Sequence, residues 1–339
     1  MTTMLEQRYR TVLRLLPSYY RTEREEEMVE AYLHGIDEHN RDELRPAWGE
    51  VASIAALALR TRMGAAGAPA RYATLGAVVR LFALLSVLLQ AASGLTGQAL
   101  FLAWFHGAPA QDREMVLGGF TGHGAPAGLY EVVRWLLPLA WTVAYLALLR
   151  DHRRTAVAFA ALAALPGLAS VTQYLGGGQD ILVFSFSLTT AAFSWLTVLA
   201  LCCGFHRDAP PARLPLASPG LVLMGTCVLM GASDVVWPGR ADPGWAGGAA
   251  FIAAAAVWLV ARSRSPKHTG DPALPLALAA LGLAVLVERT LSLAFLADAD
   301  APGFLLTATT VQAGVIAALA AALTAIGSRG LTAARCGTG

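Results

Sequence analysis

Charge is what this chain has least of. Only 14% of its 339 residues are Asp, Glu, Lys or Arg, while 56% are hydrophobic; a soluble domain carries roughly a quarter charged residues. With a mean hydropathy of +0.53, that deficit points away from a soluble globule and toward a membrane protein. Lysine is nearly missing: Lys267 is the only one, and arginine supplies every other base. A net charge of +2 is too small for a nucleic-acid binder, so no direct nucleic-acid partner is expected. The cysteines, Cys202, Cys203, Cys227 and Cys336, form no CxxC or Cys/His spacing. They read as small apolar fillers rather than a disulfide framework or a zinc site. HExxH, GxSxG, phosphate-loop and Rossmann glycine patterns are absent, and Ser and His show no triad arrangement. His106, Asp112, Glu114 and His123 share one stretch, but their spacing matches no metal-ligand pattern. An enzyme, a metal and a cofactor are therefore not expected.

What the chain has instead is long uncharged apolar sequence. No residue from Trp135 to Leu149 is charged, nor any from Thr155 to Leu175, and Arg150-Asp151-His152-Arg153-Arg154 lies between them. Each run with its flanks is about 20 residues, enough for a helix to cross ~30 Å of hydrocarbon. A cluster of arginines between two spans stays on the cytoplasmic side. This hairpin, 129–175, supplies a second and a third span. Around it the pattern gives a first span at 75–105, a fourth at 181–204, a fifth at 219–237, a sixth at 246–261, a seventh at 274–296 and an eighth at 305–326. The first is longer than one crossing needs and implies tilt, with Arg80 snorkelling to the cytoplasm. The sixth is the weakest, being short and rich in Ala; losing it would put the tail outside.

An even count places both termini in the cytoplasm, and the loop charges agree. Inner loops hold Arg150, Arg153, Arg154, Arg207, Arg213, Arg262, Arg264 and Lys267, whereas outer loops hold Arg113 and Arg240, the asymmetry of the positive-inside rule. The longest outer loop is 106–128. No internal repeat is visible, so an inverted-repeat transporter is not indicated. The expectation is an all-α polytopic protein of the inner, cytoplasmic membrane: a cytosolic domain at 1–64, a linker at 65–71, eight spans within 72–328 and a cytosolic tail at 329–339.

The first 70 residues hold no apolar stretch long enough for a signal peptide's core, so the N-terminus is expected to be retained in the cytoplasm. Residues 1–64 read as three short amphipathic helices. Leu5, Tyr9, Val12, Leu16 and Tyr19 recur at helical spacing, with Pro17 ending or kinking that helix. Thr22 and Glu25 form a capping-box pattern for the next helix, whose apolar face is Met28, Val29, Tyr32, Leu33 and Ile36. A third helix near 47–63 sets Trp48, Val51, Ile54 and Leu57 or Ala58 on one side. So small a core is marginal alone; docking on the membrane or a partner would help, and Tyr9, Leu16, Tyr20, Met28, Tyr32 and Trp48 are the candidate partner-docking face.

Ionisable side chains inside a bilayer cost ~2.5–3.5 kcal/mol on insertion scales and are functional candidates by default. Glu288 and Arg289 lie well inside the seventh span. Glu131 and Arg134 are three apart, on one face of the second. Asp234 and Gln173 fall near the outer ends of the fifth and third. All six fall toward the outer side, so they are candidates for a polar pocket open there. The alternative is that they lock helices together. Gln90, Gln98 and Gln312 fit interhelical hydrogen bonds, worth about 0.6–2 kcal/mol each. Pro138, Pro166 and Pro275 fall in spans and can kink them.

Arg8-Tyr9-Arg10, Leu15-Leu16-Pro17, Tyr20-Arg21, Glu26-Glu27-Met28 and the stretch Glu50-Val51 to Leu59-Arg60-Thr61-Arg62 give residues 1–64 a resemblance to the HAAS (HTH-associated α-helical signalling) or permease-prefix class of bacterial multi-pass membrane proteins. The resemblance implies a cytosolic docking or signalling domain, often on proteins associated with PadR-like regulators, and carries over no catalytic residues. Permease-type members have a large extracytoplasmic domain, which this chain lacks. Two functions follow as expectations. One is a membrane regulator or sensor that binds lipid and docks a cytosolic protein, a regulator or an ATPase. The other is a transporter or export-permease subunit using the outer-side pocket.

Overall fold

The computed structural model describes residues 4–34, 46–64, 68–121, 128, 132–133, 135–175, 181–206, 209–214, 216, 218–236, 244–264, 271–299 and 301–336. Every regular element among them is helical. The chain divides into two compact units, one of Met1–Val79 with Cys203–Pro210, the other of Arg80–Cys202 with Pro211–Gly339.

In the first unit, helices α1 (Met4–Leu13), α2 (Ser18–His34) and α3 (Trp48–Arg62) share one small core. Tyr9, Leu13, Leu16, Val29, Ile54 and Ala58 are buried in it, and Val12, Tyr20, Met28, Tyr32, Leu33 and Leu57 pack around them. Tyr9 and Tyr32 stack with ring centroids 4.0 Å apart. The Tyr19 hydroxyl donates to the Thr61 carbonyl at 2.9 Å, tying α2 to the end of α3. Arg10 reaches across from α1 and grips both oxygens of Glu26 at 2.8 and 2.9 Å while holding Glu6 at 3.0 Å. That fork keeps the Glu26 carboxyl below the usual carboxylate range.

Two local expectations are corrected here. Thr22 does not cap α2: the helix starts a turn earlier, at Ser18, and the Thr22 hydroxyl donates to the Ser18 carbonyl inside it. Pro17 accepts from the amides of Tyr20 and Arg21, so it opens α2 where its missing N–H costs nothing. Tyr19 accordingly belongs to α2 and not to the face of α1. At α3, Glu50 supplies one half of a capping box, accepting from the Ala47 amide at 2.8 Å.

Burial raises the Tyr32 phenol to about 12, with the Glu50 charge and a hydrogen bond to Glu50 adding to it; burial raises Tyr9 and Tyr19 as well. Unfolded, these phenols ionise near 10. A raised folded value means their contribution is complete below that point and is lost as pH climbs through the folded one. The head is therefore expected to loosen between about pH 10 and about 12. Near-ultraviolet circular dichroism of the full chain checks this: Tyr32→Phe should hold its head signal to higher pH than the parent.

Seven helices among the described residues are long and apolar enough to cross a membrane. They are α4 (Ala70–Gly107), α7 (Arg153–Leu175), α8 (Ile181–Gly204), α9 (Pro219–Val236), α10 (Trp245–Arg264), α11 (Ala273–Asp298) and α12 (Gly303–Cys336). Between α4 and α7 lie two shorter helices, α5 (Ala110–Thr121) and α6 (Leu137–Leu149). The second unit inverts the soluble rule. Its buried positions include many alanines, among them Ala83, Ala91, Ala144, Ala160 and Ala277, while Leu221, Met224, Val228, Val235 and Val236 of α9 stand exposed. Lipid tails are as apolar as leucine, so large side chains face outward and small ones let helices approach. The chain is thus read as a multi-pass membrane protein.

Against the expected spans, α10 is a full 20-residue helix, so the doubtful sixth segment has the length to cross. The second expected span is represented by α6, a 3₁₀ turn at Leu137–Leu139 running into an α-helix at Ala140–Leu149. At 1.5 Å per residue α6 alone is about 20 Å long, and residues 132–133 and 135–136 just ahead of it are helical as well. The expected outer loop at 106–128 is corrected in part, since α5 occupies Ala110–Thr121. The eighth helix also runs past its expected end, to Cys336. The basic hairpin turns tightly: Asp151 takes a left-handed φ of 60°, a conformation Asp tolerates better than most residues, and its carboxylate accepts from Arg153 Nε at 2.8 Å.

Candidate functional site

Within the second unit, α4, α8, α9, α10 and α11 surround a cavity of about 270 Å³. At liquid density that is room for about nine waters. Its wall is mixed in chemistry. Leu89, Phe193, Met230 and Val285 are apolar, Gln90, Ser93, Thr96, Thr189 and Thr190 are polar and uncharged, and Asp234 and Glu288 are acidic.

Each side chain reaches the cavity through helical spacing. On α4, Leu89, Ser93, Thr96 and Gly97 fall at intervals of three or four and share one face. The Thr96 hydroxyl donates to the Cys227 carbonyl of α9 at 3.3 Å, and Ala92 packs with Met230 and Ala250, so α4, α9 and α10 meet there. The Gln90 amide joins α8: its Nε2 donates to Thr197 Oγ1 at 3.5 Å and its Oε1 accepts from Ser194 at 3.4 Å. Thr197 is itself fixed, donating to the Phe193 carbonyl at 2.9 Å.

Arg289 follows Glu288 but faces elsewhere. Its side chain is 0% exposed, the largest fully buried side chain among the described residues, and its guanidinium carbon lies 5.8 Å from the centre of the Trp245 ring. A Cβ on Gly244 would sit 3.1 Å from Arg289 Nη1 and from the Ser292 hydroxyl, so the absence of a side chain at Gly244 makes the seat for this cation. The Trp245 carbonyl in turn accepts from Gln312 Nε2 of α12 at 3.0 Å. A Cβ on Gly248 would come within 2.8 Å of that amide. Arg289 and Gln312 therefore fix the start of α10 against α11 and α12.

Of the six candidate intramembrane residues, the structure brings Asp234 and Glu288, 54 positions apart, to one cavity. Arg289 is set apart in its own seat. Gln173 belongs to α7, and nothing is described of its side chain. Glu131 and Arg134 lie outside the described residues. Gln98 does not line the cavity; it donates to the Trp135 carbonyl at 2.6 Å. The polar wall at Ser93, Thr96, Thr189 and Thr190 was not anticipated, because lone hydroxyls in an apolar run also satisfy themselves on their own helix. Thr189 does so, donating to the Ser185 carbonyl at 2.8 Å.

The candidate docking face divides likewise. Tyr9 and Leu16 are core residues, Tyr20, Met28 and Tyr32 pack against that core, and Trp48 stands 88% exposed. The cavity can hold a small polar ligand, and the head presents an uncovered aromatic side chain. No family model matches the chain, and no curated protein or solved structure is significantly similar to it.

Proposed function

We propose that this chain is a membrane regulator of the sensor type. Its membrane unit reads a small ligand in the five-helix cavity, and its N-terminal head, a HAAS-like docking domain, holds a cytosolic protein. In this reading eight spans, with α6 completing one of them, leave head and tail in the cytoplasm. The observation that carries it is the head's own core: helices α1 to α3 bury Leu13, Leu16, Val29 and Ile54 among themselves and still leave Trp48 outside. A segment that only entered the membrane would need neither. The presence of Asp234 and Glu288 in one cavity favours a second reading, a transporter or export-permease subunit, in which the cavity carries a solute.

A photoreactive amino acid at Trp48 in the full chain, irradiated in its native membranes, tests the first reading. One discrete cytosolic adduct is expected, with a yield that changes when Gly247→Leu fills the cavity. The absence of any cytosolic adduct, or a yield indifferent to the cavity, would count against regulation. Solute flux through reconstituted vesicles, abolished by Glu288→Gln, would favour the second.

A further inference from the structure

We infer that the groove between α4 and α5 takes a neutral, membrane-soluble alcohol, one hydroxyl on an apolar ring body. Its O–H donates to Gln98 Oε1 and its oxygen accepts from Trp135 Nε1. This site is separate from the five-helix cavity, and the inference goes beyond the sensor reading. The groove has a volume of about 540 Å³. Gln98 and Phe101 line it from α4, Met115, Val116, Gly119 and Phe120 from α5, and Trp135 from just ahead of α6.

Two features point to that occupant. Gln98 Oε1 and Trp135 Nε1 are both buried and have no hydrogen-bond partner. Their residues are nonetheless fixed against each other: Gln98 Nε2 donates to the Trp135 carbonyl at 2.6 Å, and the Phe101 and Trp135 ring centroids lie 6.2 Å apart. An amide oxygen can only accept and an indole N–H can only donate, so one hydroxyl completes both, and buried polar atoms are rarely left without a partner. The second feature is α5 itself. It buries none of its side chains, and Met115 is 72% exposed, so the α5 wall of the groove is uncovered. The described lining carries no Asp, Glu, Lys, Arg or His, so a charged group would enter without a counter-ion. A bare hydrocarbon would leave both polar atoms unmatched. One water bridging the pair fills only ~30 Å³ and leaves the rings and Met115 bare, whereas a ring body covers them.

The test uses the full chain in nanodiscs of zwitterionic lipid, with empty nanodiscs as the partition control. Fluorine NMR follows (6-fluoronaphthalen-2-yl)methanol, its methyl ether and 2-fluoro-6-methylnaphthalene, matched probes that donate and accept, accept only, or do neither. Saturable binding of the alcohol is expected, about tenfold tighter than the ether because the ether leaves Gln98 Oε1 unmatched, with the methylnaphthalene weakest. Gly119 lines the groove and has open space at its Cβ position, so Gly119→Leu should fill the groove and abolish binding without touching the polar pair. Trp135→Phe keeps a ring but loses the N–H; it should weaken the alcohol about fivefold and keep the preference over the ether. Gln98→Met should erase that preference, a ratio that a purely structural role would not move. Each variant is read in protein that elutes and melts like the parent, and if Gln98→Met does not fold, Gly119→Leu and Trp135→Phe decide. Equal binding of alcohol and ether by the parent, or unchanged affinity in both Gly119→Leu and Trp135→Phe, would overturn the inference. So would the absence of saturable alcohol binding, which would leave the pair to a bound water. Cross-linking at Trp48 that responds to Gly247→Leu reports on the other cavity, so the two readings stand or fall separately.

Discussion

Leu13→Ala should leave the head without a stable fold while the spans keep theirs. Leu13 is 0% exposed at the centre of the α1–α3 core. Truncating a buried leucine costs about 2–5 kcal/mol, the lost burial plus the cavity left behind. A core from some 60 residues is worth roughly 3–9 kcal/mol at the usual stability per residue, so the low end of that range is used up by this one change. Hydrogen–deuterium exchange on the full chain in nanodiscs reads the result. Peptides of α1, α2 and α3 should approach unprotected rates, and peptides of α11 and α12 should not move. Trp48→Ala, at a site 88% exposed, should stay within about 0.5 kcal/mol of the parent. Retained protection in Leu13→Ala would mean the head is held by something other than its own core.

Gly94→Val should have the largest effect in the membrane unit. A Cβ at Gly94 would lie 2.8 Å from the Pro138 carbonyl oxygen and 3.2 Å from its carbon. Those are backbone atoms of the 3₁₀ turn that opens α6, so no side chain can rotate away and the two helices must part. Overpacking of this kind costs about 1–3 kcal/mol. One turn on, Gln98 donates to the Trp135 carbonyl from the same face of α4, and separation would break that bond too. The midpoint of thermal unfolding in detergent should fall by roughly 2–4 °C for each kcal/mol lost. Gly225→Ala is the control: nothing lies within 4 Å of its Cβ position, and it should be neutral or slightly stabilising.

The helical class and most of the span positions were legible because a bilayer imposes one strong rule, long uncharged runs closed by basic loops. The head's faces were legible for a similar reason, since Tyr9, Leu16 and Ile54 recur at helical spacing and all are buried. What failed was local competition. Thr22 with Glu25 looked like a helix start, but Pro17 offered an earlier one and the polar residues simply became part of the first turns. The segment from 106 to 128 looked like a loop because α5 buries no side chain and so has no apolar face for the sequence to display.

In the cavity, Asp234 and Glu288 announced themselves by charge, but their meeting depends on how α9 and α11 pack around α10, which no local pattern encodes. Gly244 and Gly248 were passed over for the same reason. A glycine that seats a distant Arg289 or Gln312 reads, in isolation, like any other glycine.

The seat of Arg289 also bears on how the chain enters the bilayer during synthesis. A segment carrying adjacent acid and base halfway along would be a poor guest for lipid if released alone from the translocon. Its shelter comes partly from Gly244 and Trp245, which are made before it, and α12, its most extensive packing partner, is made after. The last three helices are thus best laid down as a group, with α11 retained beside its predecessor until α12 arrives. A ribosome that stalls between them would leave Glu288 and Arg289 in the bilayer without the helix that packs most extensively beside them.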